Sequence, residues 1–113
     1  MVITLKGNPV STNHLYKKHG NITYMTRDGK DLKESYSWQA KIQWKKPIIE
    51  DTLKIVVGLF FKDKRRRDID NWHKVLLDSM TGIVWKDDSQ IVEMTVTKSI
   101  DKDNPRIELE VVL

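Results

Sequence analysis

The chain has 113 residues, 39% of them hydrophobic and 32% charged, which suffices for one core and not for two. It has no cysteine, which excludes disulfides and thiolate metal sites, and its net charge of +4 favours an anionic partner. No apolar run reaches the length of a membrane span, and the opening MVITLKGN lacks the basic-then-apolar order of a secretory leader, so a cytoplasmic protein is expected.

Val2 to Lys6 alternates as a short strand with Ile3 and Leu5 on one face. The next segment, GNPVSTNHLYKKHGNITYMTRDGK, is rich in turn formers and basic residues. It reads as a long loop broken by a brief strand near Ile22–Thr26, and loops of that length are more often functional than idle. Asp31 is expected to cap a helix with Leu32, Tyr36, Ala40 and Trp44 on one stripe, stopped by Pro47. Leu53 to Lys62, LKIVVGLFFK, is apolar on both faces in its middle, the pattern of a central strand covered on both sides. A second helix is expected from IDNWHKVLLDSMTG, with Ile69, Trp72, Leu76 and Met80 near helical spacing and Gly82 closing it. QIVEMTVTKSI alternates as a strand, DKDNP reads as a hairpin connection, and RIELEVVL as a last strand with Ile107, Leu109, Val111 and Leu113 inward. The order β, β, α, β, α, β, β makes one small domain over residues 1–113 with two principal helices and no repeats or linker.

Charge is placed unevenly. Residues 1–50 carry nine Lys/Arg against four Asp/Glu and residues 51–113 eleven against twelve, yet the second half contains KDKRRR. In RRRDIDN, Asp68 and Asp70 lie two apart, and in an extended segment both would point to one side. Lys74 and Asp78 continue from Asp70 at four-residue steps, one stripe of a helix. Asp87 and Asp88 follow in WKDDSQIV, just before the next strand. Carboxylates converging at one edge would repel unless a cation joined them; magnesium, with its hard oxygen ligands and retained waters, is the expected guest. Arg65, Arg66 and Arg67 would stand at the rim and grip phosphate, while Lys74 would balance charge on the attacked group. The same residues admit a plainer reading, in which Asp68 or Asp70 caps a helix and the Asp87–Asp88 pair is turn composition. His14, His19 and His73 lack the spacing of a zinc set and Ser11 lacks a nucleophile-elbow context. With no glycine-rich phosphate loop, no nucleotide cofactor is expected.

RRRDIDNWHKVLLDSMTGIVWKDDSQI resembles the central motif of the RusA family of Holliday junction resolvases, found in bacteria and their phages and prophages. NPVSTNHLY and YMTRDGKDLKESY are similar to that family's N-terminal region, so the likeness covers about residues 2–113. The resemblance implies an α+β domain with a mixed sheet, a two-fold homodimer, and a four-way DNA junction as substrate in recombination and repair. It implies magnesium, with manganese as a substitute, held by Asp68, Asp70 and Asp88 with Asp87 assisting. Lys74 falls on the family's essential basic position, and Arg67 and Asn71 on positions used for DNA contact and site architecture. Arg65, Arg66, Asn13, Lys17 and Lys18 complete the expected grip on phosphates. A two-fold dimer would supply two cutting sites to a junction of approximate two-fold symmetry, and either the apolar side of the Trp72 helix or the last strand would form the interface. Two rivals stand beside this expectation: a non-catalytic DNA-binding module, and a metal nuclease acting on flaps or plain duplex.

Overall fold

Two helices cover one face of a four-stranded sheet in the computed structural model, which describes all of residues 1–113. Strand β1 (Val2–Lys6) leads through a one-turn helix α1 (Thr12–Leu15) into a hairpin of β2 (Tyr16–His19) and β3 (Ile22–Met25). Helix α2 (Arg27–Gln43), strand β4 (Leu53–Phe61), helix α3 (His73–Met80), strand β5 (Ile91–Ile100) and strand β6 (Arg106–Val112) follow. The main sheet has the order β1-β6-β4-β5, and the hairpin is a separate two-stranded sheet. Strands β4 and β5 are parallel while the other neighbours are antiparallel, so the sheet is mixed, as expected. No helix is long and apolar enough to cross a membrane.

The core is dictated by alternation along β4. Leu53, Ile55, Val57, Leu59 and Phe61 are buried against Tyr36 and Ala40 of α2, Val75, Leu76 and Met80 of α3, and Trp85. Each buried Leu, Ile, Val, Phe or Met among them contributes about 1.5–3 kcal/mol on leaving water. The opposite face of β4 is not covered. Val56, Gly58 and Phe60 lie in register with Glu110, Glu108 and Arg106 of β6, and the Arg106 guanidinium sits 3.9 Å above the Phe60 ring. Strand β4 is therefore central in the sheet but roofed by helices on one side only, because on the other β6 presents charged residues and β5 presents Thr95, Thr97 and Ser99.

Helix α2 begins earlier than Asp31. Thr26 is the N-cap, its hydroxyl accepting the Gly29 N–H at 3.1 Å, and the chain leaves the helix at Trp44, before Pro47. Gly29 is required by a close approach: a Cβ there would lie 2.3 Å from the Leu15 carbonyl oxygen, a backbone atom that already accepts the Thr26 N–H at 2.8 Å. Gly29→Ala should destabilise the fold by about 1–3 kcal/mol despite the better helix propensity of alanine, a loss measurable by urea denaturation.

Three further expectations are corrected. Ile69 is exposed in a turn, and α3 starts only at His73. Leu113 is 86% exposed rather than inward, since the strand ends at Val112. Residues 101–105 do not close a hairpin: β6 inserts between β1 and β4, so the connection crosses the end of β4, where the Asp101 N–H donates to the Phe61 carbonyl at 2.8 Å. Strand β6 gains the central place because Ile107 and Leu109 are buried there, which leaves β5 as an open edge.

Candidate functional site

The segment between β4 and α3 is irregular, and an arginine–aromatic stack pins it. Arg67 lies 4.6 Å over the Phe61 ring, and Phe61 meets Trp72 edge-on with centroids 4.9 Å apart. The Trp72 indole N–H donates to the Asp68 carbonyl. Arg67 also holds Asp63 at 2.8 Å and donates to its carbonyl oxygen. The Arg65 backbone N–H, and after it the Arg67 guanidinium, keep the Asp63 carboxyl below the usual carboxylate range. Arg67 is thus a latch within the loop, whereas Arg65 and Arg66 form no ion pair and are exposed.

Asn71 fastens this loop to the N-terminal segment. Its amide donates to Ser11 Oγ at 2.7 Å, and its carbonyl accepts the Thr12 N–H and hydroxyl at 2.9 and 3.1 Å. The result is a polar cleft of about 390 Å³ lined by Asn8, Ser11, His14, Arg65, Arg66, Arg67, Asp68 and Asn71. Ser11 and His14, set aside on sequence grounds, both border it. The signal that could have found them was their place in NPVSTNHLY, where Ser11 caps α1 by accepting the Asn13 N–H. Asn13 itself is exposed on α1, and Lys17 and Lys18 are exposed on β2, outside the cleft lining.

Strand alternation does not align Asp68 with Asp70. Ile69 and Asp70 form a turn, so the two-residue alternation of a strand does not apply. Asp68 borders the polar cleft, while Asp70 borders a groove of about 280 Å³ between α3 and β5, with Ile69, Trp72, His73, Met94 and Val96. Lys74 is turned toward Asp78, at 3.7 Å, and lies 4.8 Å over the Tyr16 ring. Tyr16 donates its hydroxyl to the same Asp78 carboxylate at 2.7 Å. Burial, then that hydrogen bond and the carboxylate charge, push the Tyr16 hydroxyl above its ordinary range.

The late acids lie elsewhere. Parallel pairing sets Ile91 beside Leu53 and Ile100 beside Phe61. Asp87 and Asp88 therefore stand where β4 begins, and Asp68 and Asp70 follow where β4 ends, at opposite ends of strands of nine and ten residues. Asp87 is a cap: it accepts the Ser89 N–H and hydroxyl, and Gln90 reciprocates on the Asp87 N–H. The Ser89 hydroxyl, then its N–H, hold the Asp87 carboxyl below the usual range. Asp88 is exposed and open. No three acidic or histidine side chains of one chain come together to hold a metal. The convergence expected within one chain is corrected by the parallel register, and one chain by itself does not fit a three-carboxylate magnesium site.

The interface expectation changes too. Both edges of β6 are already paired and Trp72 is buried, so neither a β6 edge nor the Trp72 side chain is free to meet a second copy. Of the two sheet edges, β1 is covered by Gln39 and Gln43 of α2, which bond the Lys6 and Thr4 backbone, while β5 is free, with Val92 62% exposed and Met94 and Ile100 also open to solvent.

Comparison with known proteins adds the family. The family model described as Endodeoxyribonuclease RusA matches residues 6–112. The crossover junction endodeoxyribonuclease RusA of Escherichia coli K12 is 28% identical over 104 residues, covering 91% of this chain and 87% of the relative. The corresponding enzyme of Enterobacteria phage 82 shows the same identity and coverage. That of Aquifex aeolicus is 34% identical over 67 residues, 58% of this chain and 52% of the relative. With a match across nearly its whole length, the chain belongs to the RusA endodeoxyribonuclease family.

Proposed function

We propose that this protein is a structure-selective DNA endonuclease that resolves Holliday junctions in recombination and repair by paired, magnesium-dependent nicks, acting as a two-fold homodimer. The observation that carries the reading is the parallel register, which separates Asp88 from Asp68 and Asp70 while leaving β5 as an open edge. Antiparallel pairing of β5 with its copy, about a two-fold axis at its middle, exchanges the strand's ends. Its ten residues span roughly 33 Å. Asp88 of the partner subunit then arrives at the Ile100 end, near Lys98, whose ammonium already holds the Arg67 carbonyl at 2.6 Å. The exposed Ile69, Val92, Met94 and Ile100 supply apolar area for that contact. The relatives named crossover junction endodeoxyribonuclease support the substrate.

In this reading Asp68 and Asp70 of one copy and Asp88 of the other would hold the ion, for which manganese would substitute. When bound, magnesium supplies a water of lowered pKa and offsets charge on the phosphate. Arg65 and Arg66 fork onto phosphate oxygens from the rim of the cleft, and Asn13, Lys17 and Lys18 meet the flanking arms. Lys74 swings from Asp78, a pairing weak enough at a half-exposed site to exchange, and balances charge on the attacked phosphate.

A mobile four-way junction, a flap and a linear duplex, each incubated with magnesium and with chelator, test the reading. Symmetric nicks on the junction alone, with magnesium alone, are expected; equal rates on all three substrates would sink junction selectivity. Asp70→Asn should abolish nicking with junction binding retained; the helix-capping reading of Asp68 or Asp70 does not hold, since Trp72 is the N-cap of α3 and no side chain caps it.

A further inference from the structure

The hairpin of β2 and β3 is anchored at its root and bare at its tip. At the root, Thr26 donates its N–H to Leu15 and its hydroxyl to His14, while Tyr16 bonds Asp78 of α3. The tip is a two-residue turn with Gly20 at φ +62°, the glycine-first form that matches strand twist and fixes register. Four residues per strand carry the tip roughly 13 Å from the root. Opposite residues share a face, so Tyr16 and Met25 lie on one side, and Lys17, Tyr24, His19 and Ile22 on the other. Tyr16 turns its side toward α3, which leaves Tyr24 50% and Ile22 68% exposed on the side away from it.

We propose that this hairpin is the wedge that enters the branch point of the DNA, with Ile22 prising a base step apart and Tyr24 stacking on the base released. The assignment rests on the junction-cutting function proposed above and names the element that opens the substrate. Charge selects the occupant. Lys17 stands directly across from Tyr24, and Lys18 across from Thr23, so the apolar pair is delivered along a cationic ribbon to a polyanion. Apolar wedges and aromatic platforms act on exposed base faces, which continuous duplex hides within its stack and a branch point presents. The root ties give the wedge a fixed position: the Asp78 that holds Tyr16 also holds Lys74, and His14, just before the hairpin, borders the arginine cleft.

The test is a junction carrying 2-aminopurine at the crossover, bound without divalent metal, its fluorescence read at saturation. Wild type and Tyr24→Phe should raise the signal several-fold as the base unstacks. The double variant Ile22→Ser with Tyr24→Ser should lose most of that rise and bind the junction about tenfold more weakly. Its duplex affinity and thermal midpoint should be unchanged, since both residues face solvent. A double variant that opens the branch as well as wild type would overturn the proposal and leave the face to a protein partner. Equal weakening on junction and duplex would overturn it too, as simple backbone grip. The function proposed above fails separately: a wild-type protein that unstacks the branch in chelator yet never nicks with magnesium would refute the nuclease reading and leave the wedge standing.

Discussion

Mixing Asp70→Asn chains with Asp88→Asn chains should restore nicking that neither variant shows alone. Each uniform variant lacks one carboxylate in both cutting centres, and the loss should be at least on the order of 10²-fold, the scale of removing one preorganised electrostatic group. In a mixed dimer the two lesions fall in the same centre, because the proposed dimer pairs Asp70 of one copy with Asp88 of the other. The second centre then keeps Asp68, Asp70 and Asp88 intact. With equal mixing, half the dimers are mixed and each carries one good centre of two, so about a quarter of wild-type centres return. Those dimers should nick junctions once rather than resolve them, visible as nicked but unseparated arms on a gel. If the acids instead met within a single chain, mixing would restore nothing. The parallel pairing of β4 with β5 is what makes complementation the expected result.

Trp72 should show that stability and cutting can be separated at one position. Its side chain is buried at 6% exposure between Phe61 and α3, and its N–H fastens the Asp68 carbonyl. Trp72→Ala removes the stack and leaves a cavity, and it should cost about 3–5 kcal/mol. For a domain of this size that lowers the thermal midpoint by roughly 12–20 °C, measurable by calorimetry. Trp72→Phe keeps most of the apolar contact and loses one hydrogen bond, about 1 kcal/mol. Nicking by Trp72→Phe should nevertheless fall on the order of tenfold, because small displacements of a positioned group are costly to rate. Full activity in that variant would mean that the indole N–H does not hold Asp68 in register for the reaction.

Sequence by itself determined the elements whose signals are local. The apolar run in LKIVVGLFFK and the alternation in RIELEVVL marked β4 and β6, although only every second side chain of β4 turned out to face the core. The i, i+4 stripe of Tyr36 and Ala40 marked α2, and the basic run beside two aspartates marked the loop that carries the polar cleft. Residue types at RRRDIDN and KDDSQ carried the family resemblance, since catalytic side chains must be present whatever path the chain takes between them. Tertiary structure alone decided strand order and orientation. A turn composition such as DKDNP is the same whether the next strand pairs with its predecessor or passes over a neighbour, and burial of Ile107 and Leu109 chose the second. That choice left β5 at the edge, and the parallel register then set Asp88 at the far end from Asp68 and Asp70. Twenty positions along a chain state no distance in space, because a helix that returns the chain to a parallel strand carries it to the opposite end of the sheet.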